Sequence, residues 1–339
     1  MAGGDRTDTE PDHRLPLDLE EIVLDGPRRW TRTQLADAAG LNPDETRRLW
    51  RSLGFPEVGD DDVRFTDHDV AAAKAFAGLM ATGLVAPDVS EAVARATAQS
   101  ASQLAEWQVG LLRRLFEADD GAGSAQPPAD ASLELARAVL PVLESLQSYV
   151  WRRHLAAAIA RTAVHPPSAT DTTEVLTVGF ADMVGFTRTT RRRSVAELSG
   201  MIERFSAVTT DVIADGGGRL VKTVGDEVLF VVDEIAAGAA IALGLRDQVR
   251  AEAALPQLRI GLATGPVLPH YGDVYGEVVN IAARLTSTAH PDTVLVDRGV
   301  AEALDDDPRF TLRRIKPVAV RGYRRLDPWV LDRREPHPA

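Results

Sequence analysis

The chain has 339 residues, 45% of them apolar and 26% charged, proportions of a water-soluble globular protein with room for two cores. It has no cysteine, which excludes disulfides and thiolate metal centres and fits a cytoplasmic setting, and its net charge of −12 argues against a chain that coats nucleic acid. No apolar run reaches the ~18 residues of a membrane-spanning helix, and the start MAGGDRTDTEPDHR has no apolar signal region.

After a polar stretch at 1–14, expected to be disordered, the first half reads as an all-α domain over 15–164. TRTQLADAAGL, NPDETRRLWRSLGF and TDHDVAAAKAFAGLMATGL place apolar residues three and four apart behind Thr, Asn or Asp caps. Residues 30–70 resemble a MerR-type winged helix-turn-helix, with a first helix over 33–39 and a recognition-like helix over 43–53 bearing Arg47, Arg48 and Arg51. The resemblance implies DNA contact, but Asp60, Asp61 and Asp62 stand in the wing, where a DNA binder favours positive charge. DNA is therefore not the expected partner. The Gly- and Pro-rich DDGAGSAQPPAD breaks the helical pattern, and a long helix follows over 132–162, with Leu146, Val150 and Leu155 on a stripe suited to a dimer contact. HPPSATDTT, residues 165–173, is the expected linker.

Beyond it the periodicity changes. EVLTVGFADM is a nearly continuous apolar strand, and a helix follows with Val195, Leu198, Ile202, Phe205, Val208 and Val212 on one side. The hairpin GRLVKTVGDEVLFV, an alanine-rich helix from Ile235, the strand LRIGLATG and the helix EVVNIAARLTSTA complete a β-α-β-β-α-β order, the split βαβ arrangement. This second domain is placed at 174–332, with a tail at 333–339.

Three charges interrupt these apolar segments. Asp182 ends the first strand beside a turn at Gly185 whose backbone N–H groups, at Phe186 and Thr187, suit a phosphate. Asp226 sits at the hairpin tip, and if the two strands are neighbours both carboxylates meet at one sheet edge, hard oxygen ligands for Mg²⁺ or Mn²⁺. Lys222 lies inside a strand although only Lys74, Lys222 and Lys316 of the 38 basic residues are lysine, which points to a need for a compact point donor.

FADMVGFT, KTVGDEVLFV and GDVYGEVVNIAARL, in that order, resemble the catalytic domain of class III adenylyl cyclases. The resemblance implies an α+β catalytic domain with a ferredoxin-like βαββαβ core behind an all-α regulatory domain, and conversion of ATP to 3′,5′-cyclic AMP and pyrophosphate. It implies two divalent metal ions on Asp182 and Asp226, adenine read by Lys222 and Asp273, ribose placed by Asn280, and α-phosphate charge stabilised by Arg284. Arg321 in AVRGYRR is the candidate for the terminal phosphates. Since the family's sites are shared across a dimer, a homodimer with two complete sites follows. The N-terminal domain is then expected to control activity in response to pH, through His154 or His165, or to a fatty acid or other small apolar molecule. Two alternatives stay open: a guanylyl or diguanylate cyclase, since VGDEVLFV also resembles a Gly-Gly-Asp-Glu-Phe hairpin, and a MerR-like regulator whose cyclase-like domain only senses nucleotide.

Overall fold

The computed structural model describes residues 14–83, 86–119, 129–164, 173–191, 193–320 and 323–334. The chain divides into two compact units, Met1–Ala163 and Val164–Ala339. Residues 1–13, most of the expected linker, and 335–339 lie outside the described residues. Among the described residues no helix is long and apolar enough to cross a membrane.

The first unit is helical: α1 (Arg14–Val23), α2 (Arg32–Ala39), α3 (Pro43–Ser52), α4 (Asp67–Ala81), α5 (Pro87–Asp119) and α6 (Ala129–Val164). Helices α2, α3 and α4 each start on a reciprocal cap. Thr31, Asn42 and Thr66 accept from the backbone three residues on, and Gln34, Glu45 and Asp69 answer the cap residue's own N–H. Leu35, Ala39, Phe65, Val70 and Ala73 form the core beneath Trp30 and Trp50. Helices α2 to α5 also enclose an apolar cavity of about 380 Å³, lined by Leu49, Trp50, Phe65, Phe76 and Val93 among others.

The wing acids have internal uses. Asp60 pairs with the buried Arg32, whose guanidinium also donates to the Val58 carbonyl at 3.0 Å, while Asp62 accepts the Gly59 N–H at 3.1 Å. Arg47 is bonded to Asp44 at 2.6 Å with Glu57 at 3.6 Å, so it is committed within the unit. Helix α6 is longer than expected and passes Pro141 without a break. Its Leu146, Val150 and Leu155 are 54%, 42% and 43% exposed, an apolar surface without cover in the single chain.

The second unit contains β1 (Glu174–Met183), α7 (Phe186–Thr190), α8 (Val195–Asp215), β2 (Arg219–Val224), β3 (Glu227–Val232), α9 (Ile235–Ala251), β4 (Leu258–His270), β5 (Asp273–Tyr275), α10 (Glu277–Thr288), β6 (Thr293–Val296), α11 (Arg298–Leu304), β7 (Phe310–Arg314), β8 (Val318–Val320), β9 (Tyr323–Leu326) and β10 (Trp329–Arg333). The main sheet runs β2-β3-β1-β4-β6-β10-β7, with β5 hanging on β4 and a separate β8-β9 pair. β3 lies between β2 and β1, and β1 lies between β3 and β4, so both crossovers are split βαβ units. The sheet is covered on two faces, which is why β1 reads as almost uninterrupted apolar sequence. Ala181 and Met183 point to α8, α9 and α11, whereas Leu176, Val178 and Phe180 point to α10.

One detail of the α8 face differs from the periodicity. Val195 is 86% exposed because it is the first helical residue after the Ser194 cap. The buried stripe starts farther on, with Met201, Phe205, Val208 and Ile213.

Helix α10 lies unusually close to the sheet at Gly261. A Cβ there would stand 2.4 Å from the Ala282 carbonyl oxygen and 2.5 Å from the Thr286 nitrogen, both backbone atoms. Thr286 Oγ1 donates within the helix to the Ala282 carbonyl at 3.0 Å and reaches the Phe180 carbonyl of β1 at 3.3 Å, the contact that ties α10 to the sheet. Gly261→Ala should therefore cost about 1–3 kcal/mol of overpacking, read as a lower denaturant midpoint. An unchanged midpoint would mean that α10 yields freely at this contact.

Candidate active site

The site is set by strand register. Asp182 pairs across the sheet with Glu227 of β3 on one side and Arg259 of β4 on the other, so three charged side chains form a row across three strand ends. All three are on the α10 face, two residues on from Phe180 and in line with Leu229 and Ala263. Arg259 pairs with Asp182 through both Nε, at 3.1 Å, and Nη2, and both bonds go to Oδ2. The second carboxylate arrives by the hairpin. Val224 pairs with Glu227, leaving Gly225 and Asp226 as a two-residue loop in which Gly225 has φ +63°, a conformation glycine adopts without penalty. The Asp226 carbonyl then accepts the Met183 N–H at 3.1 Å, which locks the tip against the end of β1.

Packing three carboxyls together has an electrostatic consequence. Burial raises the Asp226 pKa most, a backbone hydrogen bond of its own residue opposes it, and the neighbouring Asp182 adds to the rise against a smaller lowering influence from Arg259. Glu227 is raised by burial, then by Asp182 and Asp226. Such a cluster fits a divalent cation, whose charge would relieve that repulsion. Among the described residues no group of three or more such side chains is arranged to hold an ion alone, so the donor set suits a cation completed by phosphate oxygens.

Lys222 reaches its position through an irregularity. Leu220 pairs with Phe230 and Lys222 with Leu229, so Val221 is an extra residue, a β-bulge. The bulge turns Lys222 to the α10 face. There Nζ donates to Asp273 Oδ2 of β5 at 2.5 Å, and Asp273 Oδ1 accepts the Val274 N–H at 2.8 Å. These bonds hold Asp273 below the usual carboxylate range despite partial burial.

Asn280 and Arg284 are one helical turn apart on α10 and both exposed, while Val278, Ala282 and Leu285 bury the opposite side. Phe186 packs its ring on the core under α8, so only its backbone is offered to a ligand. Thr187 belongs to α7, in whose turn the Arg188 and Thr189 N–H groups already bond the Gly185 carbonyl. Arg321 lies outside the described residues. Arg259 and Glu227 escaped the sequence reading as site residues, although a charge inside the apolar LRIGLATG is the same signal that marked Lys222.

The raised Glu227 pKa has a sign that can be checked. A carboxyl whose folded pKa exceeds its unfolded value costs nothing below the unfolded pKa and penalises folding once pH rises above the folded one. In metal-free protein Glu227→Gln should be more stable than the parent at pH 7, and the gain should vanish below about pH 4, near the ordinary glutamate value. Denaturant titrations across this range would show it, and a variant less stable at pH 7 would contradict it.

Residues 169–333 match the family described as "Adenylate and Guanylate cyclase catalytic domain". The chain is similar over almost its whole length to curated proteins. It is 36% identical to an adenylate cyclase of Streptomyces coelicolor, over 98% of this chain and 96% of that one. It is 35% identical to adenylate cyclases of Glutamicibacter nicotianae, over 92% and 81% of the two chains, and of Streptomyces griseus, over 97% and 92%. With the split βαβ sheet and the acid-bearing strand ends already in place, this extended likeness means that the chain belongs to the class III adenylyl cyclase family.

Proposed function

We propose that the protein converts ATP to 3′,5′-cyclic AMP and pyrophosphate. The observation that carries this reading is the co-location, on one face of one sheet, of the Asp182–Asp226 carboxylates and the Lys222–Asp273 pair. A donor beside an acceptor matches the N1 acceptor and exocyclic amine of adenine, and opposes guanine, which presents the reverse pattern. Lys222 would donate to N1 and Asp273 would accept from the amine.

Asp182 and Asp226 would hold two divalent ions, Mg²⁺ or Mn²⁺, which supply positive charge to the triphosphate and acidify the ribose 3′-hydroxyl. Arg259 takes one oxygen of Asp182 and leaves the other for the ligand. The 3′-oxygen attacks the α-phosphorus in line as pyrophosphate departs, with Asn280 orienting the ribose and Arg284 meeting the charge that develops on the α-phosphate. Phe186, Thr187 and Arg321 are assigned to the triphosphate, the first two by backbone. Asn280 and Arg284 point outward from their own unit, which suits a homodimer whose sites each join residues of two chains.

The N-terminal helices are assigned a controlling role. The exposed apolar surface of α6 suits a dimer contact, and the apolar cavity between α2 and α5 would be the seat of an apolar effector, should the stimulus be one. Asp60 and Arg47, spent on internal pairs, give no support to a DNA-reading wing and helix.

Purified protein supplied with ATP or GTP and Mg²⁺ or Mn²⁺ tests the reading. Cyclic AMP should form from ATP, and Arg284→Ala should lower turnover by about 100- to 1000-fold, the worth of a donor aimed at developing charge. Lys222→Ala should erode the ATP preference by about 10- to 100-fold, as loss of a charge-assisted hydrogen bond implies. Mixing inactive Asp226→Ala and Asn280→Ala chains should restore about one quarter of parent activity, since half the dimers are mixed and each keeps one intact site. Cyclic GMP as the main product would reject the base assignment, and no recovery on mixing would reject the shared site.

A further inference from the structure

Helices α3 and α5 pack together, and a polar cleft of about 260 Å³ opens along their contact. Three guanidiniums line it. Arg48 and Arg51 are three residues apart on α3 and share a side of that helix, and Arg95 comes from α5. Ser52 adds a hydroxyl. The one acid in the lining, Glu91, stands 3.7 Å from both Arg48 and Arg95, beyond hydrogen-bond distance of either. Among the described residues Arg51 has no ion-pair or side-chain hydrogen-bond partner.

Three positive charges against one negative leave a local surplus in a chain of net charge −12. Some arginines elsewhere are matched closely, as Arg298 is with Glu302 at 2.6 Å and Arg309 with Asp307 at 2.6 Å. Here one carboxylate is shared loosely by two guanidiniums and Arg51 has none among the described residues, an arrangement suited to phosphate oxygens, which guanidinium forks take in pairs. The same arginines sit on the recognition-like helix of the helix-turn-helix, but α5 flanks them, whereas a helix reading a DNA groove needs that side clear. We propose that the α3–α5 cleft is a binding site for a small phosphate-bearing anion, either a free phosphate or diphosphate or the headgroup of a phosphate ester. The proposal stands apart from the catalytic reading and concerns the other unit.

Calorimetric titration of the full chain in EDTA tests it, with inorganic phosphate, pyrophosphate, and vesicles of phosphatidylcholine with and without phosphatidic acid as probes. At least one phosphate-bearing probe should bind saturably, and Arg51→Gln and Arg95→Gln should each weaken it tenfold or more. Arg284→Ala, on the other unit, should leave it unchanged. Binding of the free anions identifies a soluble ligand, and binding of phosphatidic acid vesicles alone identifies a headgroup. Both exposed-site variants are checked for folding by circular dichroism. Binding that survives in both cleft variants, or no saturable binding of any probe, overturns the proposal. So does a duplex DNA that binds with the same variant sensitivity when no small anion does.

Discussion

A carboxylate at the end of a buried strand must be compensated, and the compensation of Asp182 organises the second unit. β1 lies between β3 and β4, so the row Glu227–Asp182–Arg259 can form only if both pair with it in the observed register. A slip of one residue in either neighbour would exchange a charged side chain for an apolar one on the α10 face. Register that would otherwise be set by packing alone is thus also set by charge. The row leaves excess negative charge beside the hairpin tip.

The sequence made much of this readable, because the informative residues break an otherwise strong pattern. Asp182 and Asp226 stood out against apolar runs, and their meeting required only that β1 and β3 be neighbours, which they are. Asn280 and Arg284, named by the resemblance rather than by any break in pattern, share an outward face. What the pattern could not supply was lateral information. Arg259 is brought to the site only by β4 lying against β1, 77 positions away in the chain. The direct Lys222–Asp273 bond likewise depends on how β5 folds back along β4.

In the first unit the same residues changed meaning with tertiary context. The helix starts were evident, since Thr31, Asn42 and Thr66 with their Gln34, Glu45 and Asp69 partners are local signals. The acids of the wing, which as sequence spoke of repulsion from DNA, are fasteners for Arg32 and for the Gly59 turn. A helix-turn-helix has been made into a packed helical module in which Arg48 and Arg51 line a cleft against its own α5. In α6 the stripe read as suited to a dimer contact, Leu146, Val150 and Leu155, is exposed in the single chain.

The bulge at Val221 carries a consequence for how such a protein can vary. Run regularly from Leu220, the strand would set Val221 opposite Leu229 and Lys222 opposite Val228, which faces the α8–α9 layer, and the lysine's ammonium would be driven into that core. Loss of the Val221 codon would leave Lys222 opposite Leu229, on the same face, in a regular ladder. Loss of a codon between Lys222 and the turn would instead move Lys222 opposite Val228, burying its charge and withdrawing it from Asp273. The count of residues from Lys222 to the hairpin tip is therefore the constrained quantity, while the stretch before the lysine can lose a residue without turning it over.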